Sequence, residues 1–248
     1  NIREFPSWPS FNENQIEKVV SILRSGKVNY WTGSEGKNFE KEFAAYCETN
    51  YAIALANGTV ALTAAYEAIG ILPGDEIIMT PRTFIATASS AVLLGAKPIF
   101  ADIEEDSGCL DVNSVEKIIS TKTKAISVVH LGGWPANLNE FCKLAKVFNL
   151  KLIEDCSQAH GAKINGKSVG SFGEIATWSF CQDKIITTGG EGGMITTSNK
   201  TLWKKIWSYK DHGKDFETVF NKKHPPGFRW LHQSFGTNFR MTEMQSVI

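Results

Sequence analysis

The sequence predicts an α/β fold in which helices flank a mostly parallel sheet of seven strands. Seven short apolar runs alternate with longer stretches whose apolar residues recur at helical spacing. The first of these stretches, near residues 13–25, shows that spacing at Ile16, Val19, Val20 and Leu23. Strands that alternate with helices are typical of βαβ units, which place parallel strands side by side. A hydrophobic fraction of 42% over 248 residues is ample for the core of such a sheet.

The element boundaries follow from where each run begins and ends. We expect strands at Tyr51–Leu55, Glu76–Met79, Lys97–Ala101, Ala125–Val129, Lys151–Glu154, Ala176–Phe180 and Gly193–Thr197. We expect helices near 13–25, 37–49, 59–70, 84–95, 112–120 and 138–149. The polar stretch Tyr209–Trp230 is expected to be a mobile loop. A last helix starts in Met241–Ile248, and because the chain stops inside it, we expect a C-terminal part to be missing.

Charge, hydropathy and cysteine content narrow the possible functions. The 26 basic and 26 acidic side chains cancel, which leaves no basic face for nucleic acid. No apolar run approaches the roughly 20 residues that cross a bilayer, and Asn1–Pro6 lacks a signal-peptide pattern. Five scattered cysteines without a CxxC pair indicate a reducing cytoplasm, and no HExxH motif supports a metal site.

Polar residues that directly follow strands are the candidates for a site, because ligands of parallel sheets bind beyond the carboxyl ends of the strands. Gly58 and Thr59 follow the first strand, where a helix begins. The N–H groups of such a helix start bind anions, although Asn57 or Thr59 could equally be a plain N-cap. Phe84 opens the helix after the second strand and could either stack on a flat cofactor ring or pack in the core.

Asp155 and Gln158 follow the fifth strand. A carboxylate directly after a buried strand is costly unless it is paired. Asp155 is therefore either an N-cap or the partner of a pyridinium nitrogen, the usual pairing in pyridoxal phosphate (PLP) sites. Gln158 could then hydrogen-bond the phenolic oxygen of the ring. His160 is either close to this site or a structural histidine.

Lys184 follows the sixth strand and precedes a glycine-rich turn, Thr187-Thr-Gly-Gly-Glu191. Such a turn leaves an amine with little steric cover, and loss of water disfavours its charged form and frees it as a nucleophile. Lys184 is thus a candidate Schiff-base former, and Ser179 is a candidate phosphate donor. An anion site, a stacking ring, an acid and a lysine, in this order on one sheet, favour a PLP site over a solvated loop lysine.

The chain resembles the DegT/DnrJ/StrS sugar aminotransferase family, whose members are fold-type-I PLP enzymes. The resemblance runs nearly end to end. The segments that carry it are Ser25–Gly33, Asn57–Leu62, Gly74–Ile78, Thr83–Thr87, Val129–Gly132, Glu154–Ala162, Ser179–Gly193 and Gly236–Glu243. The turn after Lys184 has one glycine more than the commoner family form.

This resemblance implies roles for the matching residues. Lys184 would hold PLP, Asp155 would pair with the ring nitrogen, Gln158 would contact the phenolic oxygen, and Phe84 would stack on the ring. Gly58, Thr59 and Ser179 would bind the phosphate, together with Asn238 from the neighbouring subunit of a homodimer with shared sites. Residues 1–248 would comprise an N-terminal segment and the large PLP-binding domain, without the family's small C-terminal domain.

The implied reaction is amino transfer from glutamate to a nucleotide-linked keto sugar through an internal aldimine at Lys184. Three alternatives stay open. Sugar dehydratases of the same fold carry histidine at the lysine position, so Lys184 argues against that activity. A PLP-binding regulatory protein and an α/β binding module without PLP are the others. The sequence does not name the sugar, although Tyr30, Trp31 and Trp134 are aromatic candidates at the mouth of the site.

Overall fold

The computed structural model describes residues 7–248, so the signal-peptide expectation for Asn1–Pro6 lies outside the described residues. In chain order the strands are β1 (Tyr51–Leu55), β2 (Glu76–Met79), β3 (Lys97–Phe100), β4 (Thr123–Val129), β5 (Lys151–Asp155), β6 (Lys163–Ile164), β7 (Lys167–Ser168), β8 (Ile175–Ser179) and β9 (Gly193–Thr197). Seven of them form one sheet in the order β1-β9-β8-β5-β4-β2-β3, and β6 and β7 form a separate hairpin. The predicted α/β fold with a mostly parallel seven-stranded sheet is confirmed.

The antiparallel part of the sheet is confined to one side. Strands β3, β2, β4, β5 and β8 run parallel to their neighbours, whereas β9 is antiparallel to both β8 and β1. A parallel strand needs a long crossover, but β9 returns from β8 through the turn that contains Lys184. The reversal therefore brings Lys184 back over the sheet edge where β8 ends.

The helices cover both faces of the sheet. They are α1 (Glu13–Ser25), α2 (Glu35–Tyr46), α3 (Gly58–Ala68), α4 (Ala86–Leu93), α5 (Val112–Ile118), α6 (Leu138–Val147), α7 (Lys200–Lys210), α8 (Phe216–Phe220) and α9 (Glu243–Ser246). Alternate strand residues feed two cores: Ile53 and Ile153 pack with α3 and α7 on one face, and Ala54 and Leu152 pack with α2 and α6 on the other. Because side chains alternate along a strand, Asp155 and Glu154 at the end of β5 point to opposite faces.

One prediction about the C-terminal part of the chain needs correction. The stretch Tyr209–Trp230 is not a loop throughout, because α7 runs to Lys210 and α8 lies inside it, begun by an Asp215 N-cap. Helix α1 exists as predicted and is closed by a capping box between Asn12 and Gln15. Its apolar stripe is not buried against the described residues, since Ile16 and Leu23 are 43% and 55% exposed. Among the helices of residues 7–248, none combines the length and apolarity needed to cross a membrane.

Candidate active site

A cavity of about 770 Å³ opens at the carboxyl ends of β1, β5 and β8. Seven of the eight residues predicted for the site line it: Gly58, Thr59, Phe84, Asp155, Gln158, Ser179 and Lys184. They come from four separate connections of the chain, and the parallel sheet brings them together at one edge. The eighth residue, Asn238, is exposed and does not line this cavity.

The anion-binding turn is built where β1 gives way to α3. Asn57 is the N-cap, and its side-chain oxygen accepts a hydrogen bond from Val60 N at 3.0 Å. The N-cap alternative is therefore correct for Asn57, and it leaves the N–H groups of Gly58 and Thr59 in the first turn, where no intrahelical partner exists. A Cβ on Gly58 would lie 2.8 Å from the Cβ of Ser179, so only glycine lets the turn approach the end of β8 this closely.

Asp155 is the last residue of β5 and is 5% exposed. Its Oδ2 accepts a hydrogen bond from Thr87 Oγ1 at 2.9 Å, and its Oδ1 accepts one from Ser157 N at 3.2 Å. Thr87 in turn is 2.9 Å from the Thr83 hydroxyl, one helical turn earlier. A carboxylate can accept about four hydrogen bonds, so Asp155 is held in place while half of its capacity stays free toward the cavity.

Gln158 and Phe84 lie on different sides of the cavity. The Gln158 Oε1 accepts a hydrogen bond from Gly132 N at 2.7 Å, which leaves its amide nitrogen as the free donor. Phe84 lies in the turn before α4 rather than inside that helix, and it is 70% exposed. An aromatic ring this exposed is not a core residue, so the packing alternative for Phe84 is excluded.

Lys184 enters the cavity from the turn between β8 and β9. Its side chain is 19% exposed, and its Nζ forms an ion pair with Asp183 Oδ2 at 2.9 Å. The hydrogen bond from Lys184 lowers the pKa of Asp183, which keeps that carboxyl ionised. The lysine is partly buried, and its amine is paired rather than free. The additional glycine fits the turn, since Gly189 and Gly190 both adopt positive φ angles, 80° and 128°.

Three of the lining residues that sequence reasoning did not single out bear directly on the proposed site residues or on the charge of the cavity. Thr87 holds Asp155, and Asp183 and Glu191 add two carboxylates to the lining. The four-residue spacing of Thr83 and Thr87 could have indicated that their hydroxyl groups contact each other. No local pattern marks Asp183 or Glu191, because their position depends on how the turn after β8 folds back.

The aromatic candidates for the mouth separate into two groups. Tyr30 is buried, and Trp31 stacks on Phe220 and donates its ring N–H to Asp211 at 2.8 Å, so both are structural. Trp134 is 65% exposed, in the turn that follows β4. Trp134 is therefore the aromatic candidate that stays available to a ligand.

A histidine, a glutamate and a cysteine lie together beside the cavity, at His130, Glu154 and Cys156. The grouping resembles a metal-ligand set, but its ligand atoms are already engaged. The ring nitrogens of His130 contact Ala136 N and Glu154, and Glu154 accepts three further backbone hydrogen bonds. Burial raises the pKa of the Cys156 thiol well above its usual value, which disfavours the thiolate that binds metals.

The sheet order and the cavity at the strand ends define a PLP-dependent transferase-like fold of the α/β class. The model of the DegT/DnrJ/EryC1/StrS aminotransferase family matches residues 9–248. The chain belongs to this family.

Individual relatives agree with that assignment. The chain is 41% identical to GDP-perosamine synthase of Escherichia coli O157:H7 over 97% of this chain and 63% of that protein. The crystal structure of an aminotransferase from Psychrobacter cryohalolentis is 54% identical, with a TM-score of 0.97 over 98% of this chain and 62% of that one. NtdA from Bacillus subtilis, solved with bound cofactor PMP, is 30% identical with a TM-score of 0.84 over 100% of this chain and 56% of that one. The chain thus spans less than two thirds of each of these relatives.

Proposed function

We propose that this protein is a PLP-dependent aminotransferase that moves an amino group from glutamate to a nucleotide-linked keto sugar. One observation carries the proposal: a lysine, a half-satisfied buried carboxylate, an exposed aromatic ring and a helix start line one cavity. The family and the sugar aminotransferases among the relatives support the same reaction. In this proposal residues 7–248 contain the large PLP-binding domain, and the protein works in the cytoplasm.

The described residues fit PLP. Asp155 retains acceptor capacity for a pyridinium N–H, and Gln158 retains a donor for a phenolic oxygen. The cradle formed by Gly58, Thr59 and Ser179 suits a phosphate because a Cβ at Gly58 would close it. Phe84 supplies a ring face, and Lys184 supplies the amine for a Schiff base.

PLP, when bound, supplies an electron sink for a carbanion. The chain's part is to hold charges and to move a proton. Asp155 would hold the proton of a ring nitrogen, since a buried carboxylate stabilises a protonated partner. Lys184, once released from Asp183 and deprotonated, would take a proton from the donor's α carbon and return it later as a general acid.

The charge of the cavity supports a shared site in a homodimer. Its lining contains three carboxylates, Asp155, Asp183 and Glu191, against the single cation Lys184. Both proposed substrates are anionic, so the remaining cations must come from outside this lining. The segment 222–238 offers Lys222, Lys223 and Arg229, with Asn238 at its end. Its exposed aromatic rings, Phe228, Trp230 and Phe235, are the kind of side chain that interfaces bury.

Absorbance spectroscopy tests the reaction directly. We expect the purified protein to show a visible band with PLP, and glutamate to convert it to the pyridoxamine form. Lys184→Ala should lose the covalent link and at least a thousandfold in turnover, roughly 4 kcal/mol of transition-state stabilisation. Lys205→Ala, a lysine outside the cavity, is the matched control. A fully active Lys184→Ala protein would exclude this assignment, and a band that glutamate leaves unchanged would favour a PLP-binding regulator.

Subunit complementation tests the shared site. The Lys184→Ala and Asn238→Ala proteins are each expected to have low activity. The first lacks the lysine of its own site, and the second lacks the asparagine that serves the partner's site. After the two are mixed and allowed to exchange subunits, half of the dimers are mixed, and one of the two sites in each is intact. Activity should then recover to about a quarter of the wild-type value. If the mixture shows no recovery although mixed dimers form, Asn238 does not serve the partner's site.

A further inference from the structure

Glu154 precedes Asp155 but faces away from the cavity, and the proposed reaction does not use it. Its side chain is fully buried. Its carboxylate accepts four hydrogen bonds, from the backbone N–H groups of Gly170 (2.6 Å), Phe172 (2.9 Å) and Gly173 (2.7 Å), and from His130 Nε2 (3.2 Å). Burial raises the pKa of Glu154, but these hydrogen bonds and the contact with His130 outweigh burial, so its pKa is lowered overall. The ionised carboxylate is a full acceptor with no capacity left over.

His130 connects Glu154 to the turn that follows β4. The ring is fully buried, and its Nδ1 accepts a hydrogen bond from Ala136 N at 3.0 Å. A nitrogen that accepts carries no proton, so the proton of the neutral ring is on Nε2 and is donated to Glu154. The ring thus ties both ends of the segment His130–Ala136 together and fixes how this segment lies against β5.

The segment His130–Ala136 in turn holds Gln158. Gly132, with a φ of 59°, directs its N–H to the Gln158 Oε1 at 2.7 Å. This hydrogen bond decides which way the Gln158 amide points, because an amide whose oxygen is engaged can offer only its nitrogen elsewhere. The contacts therefore form one continuous path from Glu154 through His130 and Gly132 to the amide nitrogen of Gln158.

We infer that Glu154 and His130 are positioning residues that orient the Gln158 amide toward the phenolic oxygen of the cofactor. This inference rests on the proposed function for the identity of the ligand. The path itself consists of contacts within the chain, and it can be measured without PLP. Neither residue touches the reacting atoms, so each acts only through Gln158.

Substitutions at His130 give the cleanest test, because the ring is neutral and its replacement changes no charge beside Asp155. His130→Leu removes both hydrogen bonds, whereas His130→Gln keeps an N–H that can reach Glu154. Gln158→Ala is the benchmark for loss of the amide. Val115→Ala, a buried substitution on α5 outside the cavity, controls for a general loss of stability. Glu154→Gln is nearly isosteric and serves if His130→Leu does not fold.

Hydrogen exchange of the segment 131–138 is measured first, in the protein without added cofactor. In His130→Leu we expect the Ala136 amide to exchange about tenfold faster because it loses its acceptor, and the Gly132 amide to follow because its segment is no longer held. Glu154→Gln should act in the same direction, since the His130 ring loses the carboxylate that orients it. His130→Gln should be intermediate, and Val115→Ala should match the wild type. Unchanged exchange in His130→Leu and Glu154→Gln would overturn the inference, whatever ligand the cavity binds.

The pH titration of the visible band is measured next, on PLP-loaded protein. A donor to the phenolic oxygen favours its ionised form, so Gln158→Ala should raise the midpoint of the titration by about half a unit to one unit. His130→Leu should raise it equally, His130→Gln should restore it, and the double variant should match Gln158→Ala alone. Additive shifts in the double variant, or no shift in His130→Leu, would mean that His130 does not act through Gln158. A wild-type protein without any band instead contradicts the proposed function, and the exchange measurement still decides the contacts.

Discussion

Two of the regions that bury charged side chains use them in opposite ways. The first is the cavity around Asp155 and Lys184. The second, the Asp211 cluster, lies between α2, α7 and the chain before α9 and consists of Glu40, Lys210, Asp211, Lys214 and Arg240. In the cluster Asp211 accepts from Trp31 (2.8 Å), Lys214 (2.8 Å) and Arg240 (2.9 Å), and Lys210 pairs with Glu40 at 3.3 Å over the Tyr30 ring.

The difference lies in how much hydrogen-bonding capacity is left over. The two carboxylates of the Asp211 cluster are paired with its three cations, and these contacts join the chain near Trp31 to the chain near Arg240. In the cavity, Asp155 keeps unused acceptor positions, and Gln158 keeps an unused donor. Buried charge alone therefore does not mark a site in this protein, and Asp155 differs from the cluster because its unused acceptor positions lie at a cavity.

The largest expected effect is on activity, at Asp155. Asp155→Ala should lower kcat/KM by about a thousandfold, roughly 4 kcal/mol, because the ring nitrogen loses its counter-charge. Asp155→Asn, which keeps the shape, should be nearly as inactive. Urea unfolding of the cofactor-free protein should change by only about 1 kcal/mol, because the loss of two hydrogen bonds is partly offset by the removal of a buried charge. A large loss of stability with retained activity would mean that Asp155 has a structural role rather than a role in the reaction.

Asp211→Ala should show the opposite pattern. Its removal leaves Lys214, Arg240 and the Trp31 N–H without their acceptor, and we expect a loss of about 3 kcal/mol in the free energy of unfolding. Asp215→Ala, which removes only the N-cap of α8, should cost about 1 kcal/mol by the same urea measurement. Equal losses of unfolding free energy in the two variants would mean that the Asp211 cluster does not hold the chain near Trp31 to the chain near Arg240.

The same comparison explains what the sequence could and could not predict. Asp155, Gln158 and Lys184 could be predicted because each lies at the end of a strand or a few residues after it, and parallel strands end at one edge. Helix α7 was missed although Asn199 is a good N-cap, and the antiparallel direction of β9 left no local mark. The Asp211 cluster and the Glu154–His130 contact join residues that are distant in the sequence. No periodic pattern records such pairs, since they depend on the completed fold.

His160 extends the comparison between the two regions. Its ring nitrogens have unused hydrogen-bonding capacity although the residue does not line the cavity. It packs between Trp178 and Phe180, and its ring nitrogens have no hydrogen-bond partner among the described residues. Burial lowers its pKa to about 4. The unfolded chain therefore takes up a proton near pH 6.5, before the folded one does. Its contribution to stability is complete above pH 6.5 and is lost as the pH falls toward 4.

We expect this loss to be about 2 to 3 kcal/mol between pH 6.5 and 4. Urea unfolding at several pH values measures it, and His160→Phe should remove that part of the pH dependence. If His160→Phe and the wild type lose stability in parallel over this range, the folded protein protonates His160 freely. The ring would then have access to water or to a partner group.

The smallest expected effect is at Phe84. Phe84→Ala should weaken PLP binding by about five- to tenfold, near 1 kcal/mol, because the exposed ring can stack on one face of the cofactor only. Ile85→Ala, an equally exposed neighbour outside the cavity lining, should leave the affinity unchanged. Fluorescence titration with PLP separates the two variants. Equal losses would assign the effect to the turn before α4 rather than to the ring.

Two close glycine contacts give the cavity a fixed length. A Cβ on Gly58 would meet Ser179, and a Cβ on Gly193 would lie 2.3 Å from the Asn57 carbonyl oxygen, so both ends of the connection between β8 and β9 pack closely against the turn after β1. Lys184 lies in that same connection. In the proposed function, the distance between the phosphate-binding turn and the backbone of Lys184 is therefore set when the chain folds, before any ligand binds. Such a site would select ligands by the separation between their anionic end and their aldehyde.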